Sequence, residues 1–296
     1  MDTRLFNTTF VTLWAALQFL ACIITPQARA GELCVFTELH NELEHQQVKE
    51  LTEFLETTSY TNPKPIEGAE LSGAVLVELP NGMRAILRKS YPGIGSTAES
   101  DVAAYKLDRF FGGRLHVPVT VYRTIDGEKY SLQVWVESAR SAGLGEKNTR
   151  PPYVHFFDYM VDNTDRGSNL LVHPTGGSTE LVGIDHSGTF RNQWLDEMNP
   201  NFRNLTEKSW SQTVRNACKS SLGAGAMGSP CANAFILAHA PTEAVFDQLK
   251  STPESALQSL LENDLSKQNI DAFLVRRREM IKVIDGALLK GFKFPK

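Results

Sequence analysis

Cysteine is scarce in this sequence, with residues 22, 34, 218 and 231 the only four in 296. None belongs to a C-x-x-C pair or to a Cys/His spacing that would chelate zinc, which excludes a zinc-built module. A basic excess is also missing. The formal charge is −4, whereas general binders of nucleic acid or anionic membranes carry a strong positive bias, so no nucleic-acid partner is expected. Beyond residue 25 no run is apolar enough to span a bilayer, so no membrane span is expected in the mature chain. The phosphate-binding loop G-x-x-x-x-G-K-[ST] is absent, as is the G-x-S-x-G elbow of serine hydrolases. Internal repeats are absent too, and Gly223 to Gly228 is the only low-complexity patch. A hydrophobic share of 42% beside a charged share of 22% leaves a globular chain with enough apolar material for one large core or two lobes.

What the sequence does contain begins with an apolar run from Phe10 to Thr25, followed by Ala28-Arg29-Ala30, the small-x-small pattern after which signal peptidases cut. Residues 1–30 are therefore expected to be a signal peptide, with the mature chain secreted, periplasmic or lumenal. The competing reading is an uncleaved anchor, since Arg4 is offset by Asp2. In an oxidising compartment Cys218 and Cys231 bracket a segment short enough to close as a disulfide loop; reduced, buried cysteines are the alternative.

Residues 31–68 read as an amphipathic helix, carried by Leu39, Leu43, Val48, Leu51 and Leu55, and then a Thr/Pro-rich linker from Thr57 to Gly68. From 69 to 138 the pattern becomes strand, strand, helix, strand, strand. Asn81-Gly82 and Asp126-Gly127 mark two hairpin turns, and Ser96-x-x-Glu99 has the form of a capping box before a helix bearing Ala103, Leu107, Phe110 and Phe111. A hinge is expected over Ser138 to Thr149. The remainder, 139–296, reads as a helix opened by Pro151-Pro152, a short hairpin around Pro174 to Ser178, and four or five helices ending with one from Lys267 to Leu289. The fold class is thus α+β, with a small β-rich lobe and a mainly helical one. Arg276-Arg277-Arg278 is expected on a solvated helix face rather than in a docking patch.

The chemistry concentrates in Phe157-Asp-Tyr-Met-Val-Asp-Asn-Thr-Asp-Arg-Gly-Ser-Asn169 and in Ile184-Asp-His-Ser187. Phosphoryl transfer needs an acidic group near the attacking hydroxyl and oxygen ligands for magnesium. A helix expected to end in Asp165, with Asn169 just beyond and Asp185 at the end of a hairpin, supplies that set. Asp185-His186-Ser187 holds all three residue types of a hydrolytic triad, but neighbours in an extended segment point in alternating directions.

Asp158-Tyr159, Asn163-x-Asp165-Arg166 and Ile184-Asp185-His186 resemble the D-Y, N-x-D-R and I-D-H/N elements of the atypical kinases. That superfamily includes the type II phosphatidylinositol 4-kinases, the HipA toxin kinases and the Golgi casein kinase family of secreted-protein kinases. The resemblance runs from about Leu71 to Phe190 and implies a two-lobed protein-kinase-like fold. It implies Asp165 as the catalytic aspartate, Arg166 as structural or phosphate-facing, and Asp185 as a metal ligand. It places the second metal ligand, Asn169, one residue earlier than in those families, where Leu170 now stands.

In the first lobe Gly82 to Lys89 resembles the family's strand that ends in the ATP-binding lysine, which implies that role for Lys89. Asp101-Val-Ala-Ala-Tyr-Lys-Leu-Asp108 matches E-I-A-A-F-x-L-D, with Asp101 in place of the usual Glu as the partner of that lysine. Val117-Pro-Val-Thr120 resembles a V-P-P-T strand start. Ser72-Gly73 would cover the phosphates or form a plain turn, and Trp135-Val136 would meet adenine or pack in the core. The implied ligands are ATP with Mg²⁺ or Mn²⁺, and the acceptor a hydroxyl of a protein, lipid or sugar. A secreted pseudokinase, favoured by the shifted Asn, and a nucleotidyl transferase on the same scaffold are the alternatives.

Overall fold

The structure, a computed structural model, describes residues 42–66, 73–90, 97–143, 152–163, 166, 169–175, 178–190, 233 and 236–294. The expected signal peptide and all four cysteines lie outside these residues, as do Asp165 and Ser72. The architecture is α+β, a β-rich lobe followed by a helical region, in the order expected of a two-lobed kinase-like chain.

Helix α1 (Glu42–Thr57) opens the described chain. A five-stranded antiparallel sheet of order β1-β2-β3-β5-β4 follows, built from β1 (Thr61–Pro65), β2 (Val75–Glu78), β3 (Arg84–Lys89), β4 (Thr120–Ile125) and β5 (Glu128–Val134). The two predicted turns close as hairpins because each supplies the left-handed backbone they need: Gly82 has φ of 81°, and Asp126 and Gly127 have φ of 53° and 81°. Strand β1 is a departure, since Thr61 to Pro65 is expected to be linker. Its two prolines are tolerated because it is the exposed edge of the sheet, where a missing N–H breaks no inner ladder.

Helix α2 (Ala98–Phe110) crosses between β3 and β4. Its N-cap is Thr97 rather than Ser96, the Thr97 hydroxyl accepting the backbone N–H of Ser100 at 3.1 Å. At its far end Asp108, wholly buried, organises the return to the sheet. It accepts the backbone N–H of Leu115 at 2.9 Å and of Val117 at 3.0 Å, and the hydroxyl of Tyr153 at 3.3 Å. Burial pushes this carboxyl up, and these donors hold it down.

The crossing to the second lobe is tied by β6 (Arg140–Ser141), two residues inside the expected hinge. They pair with β7 (Leu170–Thr175), which in turn pairs with β8 (Ser178–Gly183). Between them lies α3 (Pro152–Val161), apolar on nearly every side and correspondingly buried. Gly183 is required where it stands, because any side chain there would meet Leu115 at 2.6 Å. Helices α4 (Glu243–Ser251), α5 (Glu254–Leu261) and α6 (Lys267–Leu288) complete the described chain. One apolar core runs from Val77 and Leu132 in the sheet through Leu107 of α2 to Phe157 and Phe273.

Two arginines of α6 overturn their expected exposure. Arg276, at 0% exposed, donates from Nε to the carbonyl of Met160 at 2.9 Å, near the end of α3. Arg277 donates to the carbonyls of Leu249 and Thr252 at the end of α4. Helix C-termini carry unpaired carbonyls and a partial negative charge, so a buried cation there meets a need that a solvated one would not. Only Arg278 behaves as expected, in an exposed pair with Glu254 at 2.9 Å.

Replacing Asp108 by Ala should lower the unfolding free energy by about 3 kcal/mol, because two buried N–H groups and a hydroxyl lose their acceptor together. The shift of the urea midpoint measures this, and Asp108→Asn, which keeps one acceptor oxygen, should lose less.

Candidate functional site

Strand parity decides which cation reaches Asp101. Along β3 the residues alternate faces, and cross-strand partners share a face: Arg88 pairs with Ser131, while Lys89 pairs with Tyr130, itself paired with Arg123. The Arg123 guanidinium bonds the carbonyls of Leu55 and Thr58 at 2.8 and 2.6 Å, so the Lys89 face is the one that α1 covers. Ser131 and Arg88 face α2 instead, and both bond Asp101. Lys89, expected to be the cation facing Asp101, is therefore corrected to Arg88. Lys89 itself, about a third exposed, sits 3.5 Å from Glu128.

Asp101 lies at 3% exposure in the first turns of α2 with three donors around it. Oδ2 accepts Arg88 Nη1 at 3.3 Å and the Ser131 hydroxyl at 2.9 Å, and Oδ1 accepts the backbone N–H of His186 at 3.0 Å. Burial raises its pKa, Arg88 pulls it down, and the nearby Asp185 adds to the rise. The same Arg88 nitrogen also donates to Asp185 Oδ1, which takes the Ser187 hydroxyl at 2.8 Å as well. Arg88, Asp101 and Asp185, which lie on β3, on α2 and beyond β8, are thereby one cluster. Asp185 is its most open member, with 29% of its side chain exposed. It occupies the left-handed region at φ 53°, which Asp tolerates better than most residues and which turns the chain out of the hairpin.

The segment after Asp185 is bound closely to the start of α2. Thr97 donates its backbone N–H to the carbonyl of Ser187 at 2.9 Å, and the Ser100 hydroxyl donates to the carbonyl of Thr189 at 3.0 Å. With the Asp101 to His186 bond these make three links between one helix end and one loop.

A second buried network lies beneath. Asp158 on α3 accepts Arg166 Nε at 3.1 and 3.0 Å and Nη2 at 2.8 Å, and the Asn163 amide at 3.0 Å. Arg166 Nη1 goes on to the carbonyls of Asn169 and Ile184, at 2.5 and 3.1 Å, and Nη2 reaches His186 Nε2 at 2.7 Å. At 5% exposure and with all three nitrogens turned inward, Arg166 has the placement of a structural tie. Arginine only donates, so His186 Nε2 accepts and the ring's proton sits on Nδ1. Burial, then Arg166 and Arg88, drive the His186 pKa well below its ordinary value, which keeps the ring neutral. The Phe157 ring stands edge-on to it at 5.8 Å.

Asn169 and Asp185 are neighbours through the open end of the β7–β8 hairpin. Leu170 faces Gly183 in register, and the N–H of Ile184 donates to the carbonyl of Asn169 at 3.1 Å, so the two candidate ligands flank the last rung. Among the described residues no group of three or more His, Cys, Asp or Glu could hold a metal. A carboxylate and an amide are nonetheless the hard oxygen donors that Mg²⁺ or Mn²⁺ takes, and magnesium bound with nucleotide needs few protein ligands besides phosphate and water. The residues present fit that ion.

Trp135 and Val136, both half-buried, lie where the chain leaves β5 for the second lobe, with Arg84 5.4 Å over the indole ring and Arg84 also paired with Glu137. Gly73, exposed at φ 58°, precedes β2 in the connection from β1. The motifs that carry the resemblance imply no role for Arg88, and they contain Asp158, Asn163 and His186 without implying a role for them. The usable signal for Arg88 is Ser131, a small buried polar residue directly across the ladder from it.

His186 gives a pH signature. A histidine in the unfolded chain takes up a proton near pH 6.5, whereas the folded ring resists it, so acid favours the unfolded state. Below that pH, stability should fall more steeply in the wild type than in His186→Asn, by up to about 1.4 kcal/mol per pH unit. Urea melts of both proteins from pH 7.5 to 5 measure the difference, and parallel curves would mean that the imidazole titrates freely.

No protein-family model matches the sequence, and no curated protein is detectably similar to it. Among solved structures, the Helicobacter pylori proinflammatory kinase CtkA superposes with a TM-score of 0.47 at 11% identity, over 80% of this chain and 98% of that one. The choline kinase LicA from Streptococcus pneumoniae gives a TM-score of 0.32 at 9% identity, over 82% of this chain and 100% of that one. LicA in complex with AMP gives 0.30 at 8%, over 82% and 99%. Likenesses this slight carry no inference about the chemistry of this chain.

Proposed function

We propose that this chain is an exported atypical kinase that binds ATP with Mg²⁺ or Mn²⁺ between its lobes and transfers the γ-phosphate to a hydroxyl of a protein, lipid or sugar. The observation that carries the proposal is the meeting of Arg88, Asp101 and Asp185 across three separate elements, two of them buried and the third open. Polar groups are gathered in this way at a cost in desolvation, and a structural purpose alone would not leave Asp185 facing solvent.

In this proposal Arg88 takes the place expected of Lys89 and presents its guanidinium to the phosphates, while Asp101 fixes its direction. Asp185 and Asn169 would hold the metal, which would supply positive charge to offset that of the phosphates. Asp165 orients the acceptor hydroxyl and takes up its proton. In sequence it stands between Asn163 and Arg166, both anchored on Asp158. Trp135 and Val136, at the crossing between lobes, meet the adenine. The apolar run and cleavage pattern of residues 10–30 support export.

A second reading is a nucleotide-binding protein without turnover. Its support is Asn169, one residue early, whose carbonyl is held by Arg166 and by the Ile184 N–H at the root of the hairpin.

Incubating the mature protein with γ-labelled and α-labelled ATP separates transfer of the terminal phosphate from nucleotidyl transfer and from binding alone. Label should move from the γ position only, and Asp165→Ala and Asp185→Ala should each lower transfer by about a hundredfold or more while melting cooperatively. Undiminished transfer by either variant would remove the role given to that residue. For the cation, Arg88→Met should weaken nucleotide binding about tenfold or more and Lys89→Ala by about twofold at most, as read by calorimetry. The reverse order would return the role to Lys89.

A further inference from the structure

We infer that Arg88 makes metal and nucleotide binding interdependent: its cation suppresses metal binding at Asp185 until phosphates draw the guanidinium away. The inference rests on the kinase reading of the site and adds to it a linkage set by one residue.

Three observations support it. Arg88 Nη1 donates to Asp101 and to Asp185 at once, so the carboxylate that would hold the metal already holds a guanidinium. A second cation on the same carboxylate meets like charge, and Arg88 is 8% exposed, so water screens that repulsion poorly. Arg88 is also incompletely satisfied. Its Nε is buried with no hydrogen-bond partner, although a guanidinium offers five donors in a fixed fork that suits phosphate oxygens. A triphosphate would supply the missing acceptors and carry enough negative charge to bind the guanidinium and the metal together. Asp101 would keep its grip, because its other donors, Ser131 and the His186 N–H, come from outside the metal site.

The sign of the coupling follows. Metal bound without nucleotide must share Asp185 with an undischarged arginine, whereas with nucleotide present both cations have phosphate to face. Linkage makes this reciprocal, so nucleotide raises metal affinity by the factor by which metal raises nucleotide affinity. Removing the Arg88 charge should therefore strengthen metal binding by the nucleotide-free protein. A merely structural role for Arg88 predicts unchanged or weaker binding.

The test uses Mn²⁺ as its own probe. Free and bound Mn²⁺ are counted by electron paramagnetic resonance with the mature wild type, Arg88→Met and Arg88→Lys, each with and without a non-hydrolysable ATP analogue. The wild type should bind Mn²⁺ weakly alone and roughly tenfold or more tightly with the analogue. Arg88→Met should bind Mn²⁺ alone several-fold more tightly than the wild type and lose most of the enhancement. Arg88→Lys keeps the charge, should keep the suppression, and controls for damage to folding. If Arg88→Met and Arg88→Lys both bind Mn²⁺ alone as the wild type does, while the analogue still binds, the linkage is overturned and the kinase reading stands. If the analogue binds none of the three proteins with or without Mn²⁺, the kinase reading itself fails, and the linkage with it.

Discussion

Asp101 is the constraint on which the cleft depends. A carboxylate almost wholly withdrawn from water is stable only if its oxygens are met on every open side, and here they are met by three parts of the chain. Ser131 ties it to the sheet, Arg88 to the strand beside the cleft, and the His186 N–H to the loop beyond β8. The placement of α2 over the sheet and of the 185–190 loop beside α2 are thus one condition rather than two. Sliding α2 along its axis would strand the carboxylate and at least one buried donor together, which is why the added links from Thr97 and Ser100 agree in register with it.

The Asp158–Arg166–His186 network repeats the logic deeper in the second lobe. Arg166 joins the helix bearing Asp158 to the carbonyls at the root of the β7–β8 hairpin, so the residues that flank Asp165 in sequence inherit their position from α3. His186 belongs to both networks, through its backbone to Asp101 and through its ring to Arg166. One residue, three beyond the hairpin and next to Asp185, therefore sets the lobes against each other. A neutral ring is the condition for this, since a charged imidazole would have no acceptor to offer Arg166 and would face Arg88 as well.

Much of the fold was legible because local chemistry and global pattern agree. Asn81-Gly82 and Asp126-Gly127 encode their own turns, and the four-residue spacing of Ala103 and Leu107 encodes a helix. The failures have physical causes. Strand β1 carries two prolines, and composition alone does not tell an edge strand from a linker when nothing needs to bond its outer side. Arg276 and Arg277 look like a solvated face because their partners, the carbonyls at the ends of α3 and α4, are backbone groups more than twenty residues away and have no side-chain signature. At Arg88 and Lys89 two cations stand side by side on a strand, and a shift of one position changes the face. A family pattern that expects a lysine points to Lys89, whereas the ladder, through Ser131, points to Arg88.

Under the proposed function, Arg88 in the place of the expected lysine also accounts for Asp101 in the place of the expected Glu. An arginine side chain is one atom longer to its terminal nitrogens than a lysine is to its ammonium, and Asp is one methylene shorter than Glu. Taken together the two exchanges conserve the reach of the pair. They also change its character, because a planar fork has donors to spare where an ammonium is a point charge. Here Asp101 and Asp185 together leave Arg88 Nε without an acceptor. The unmet donor gives this cleft a reason to prefer a ligand rich in oxygen over the ligand-free arrangement.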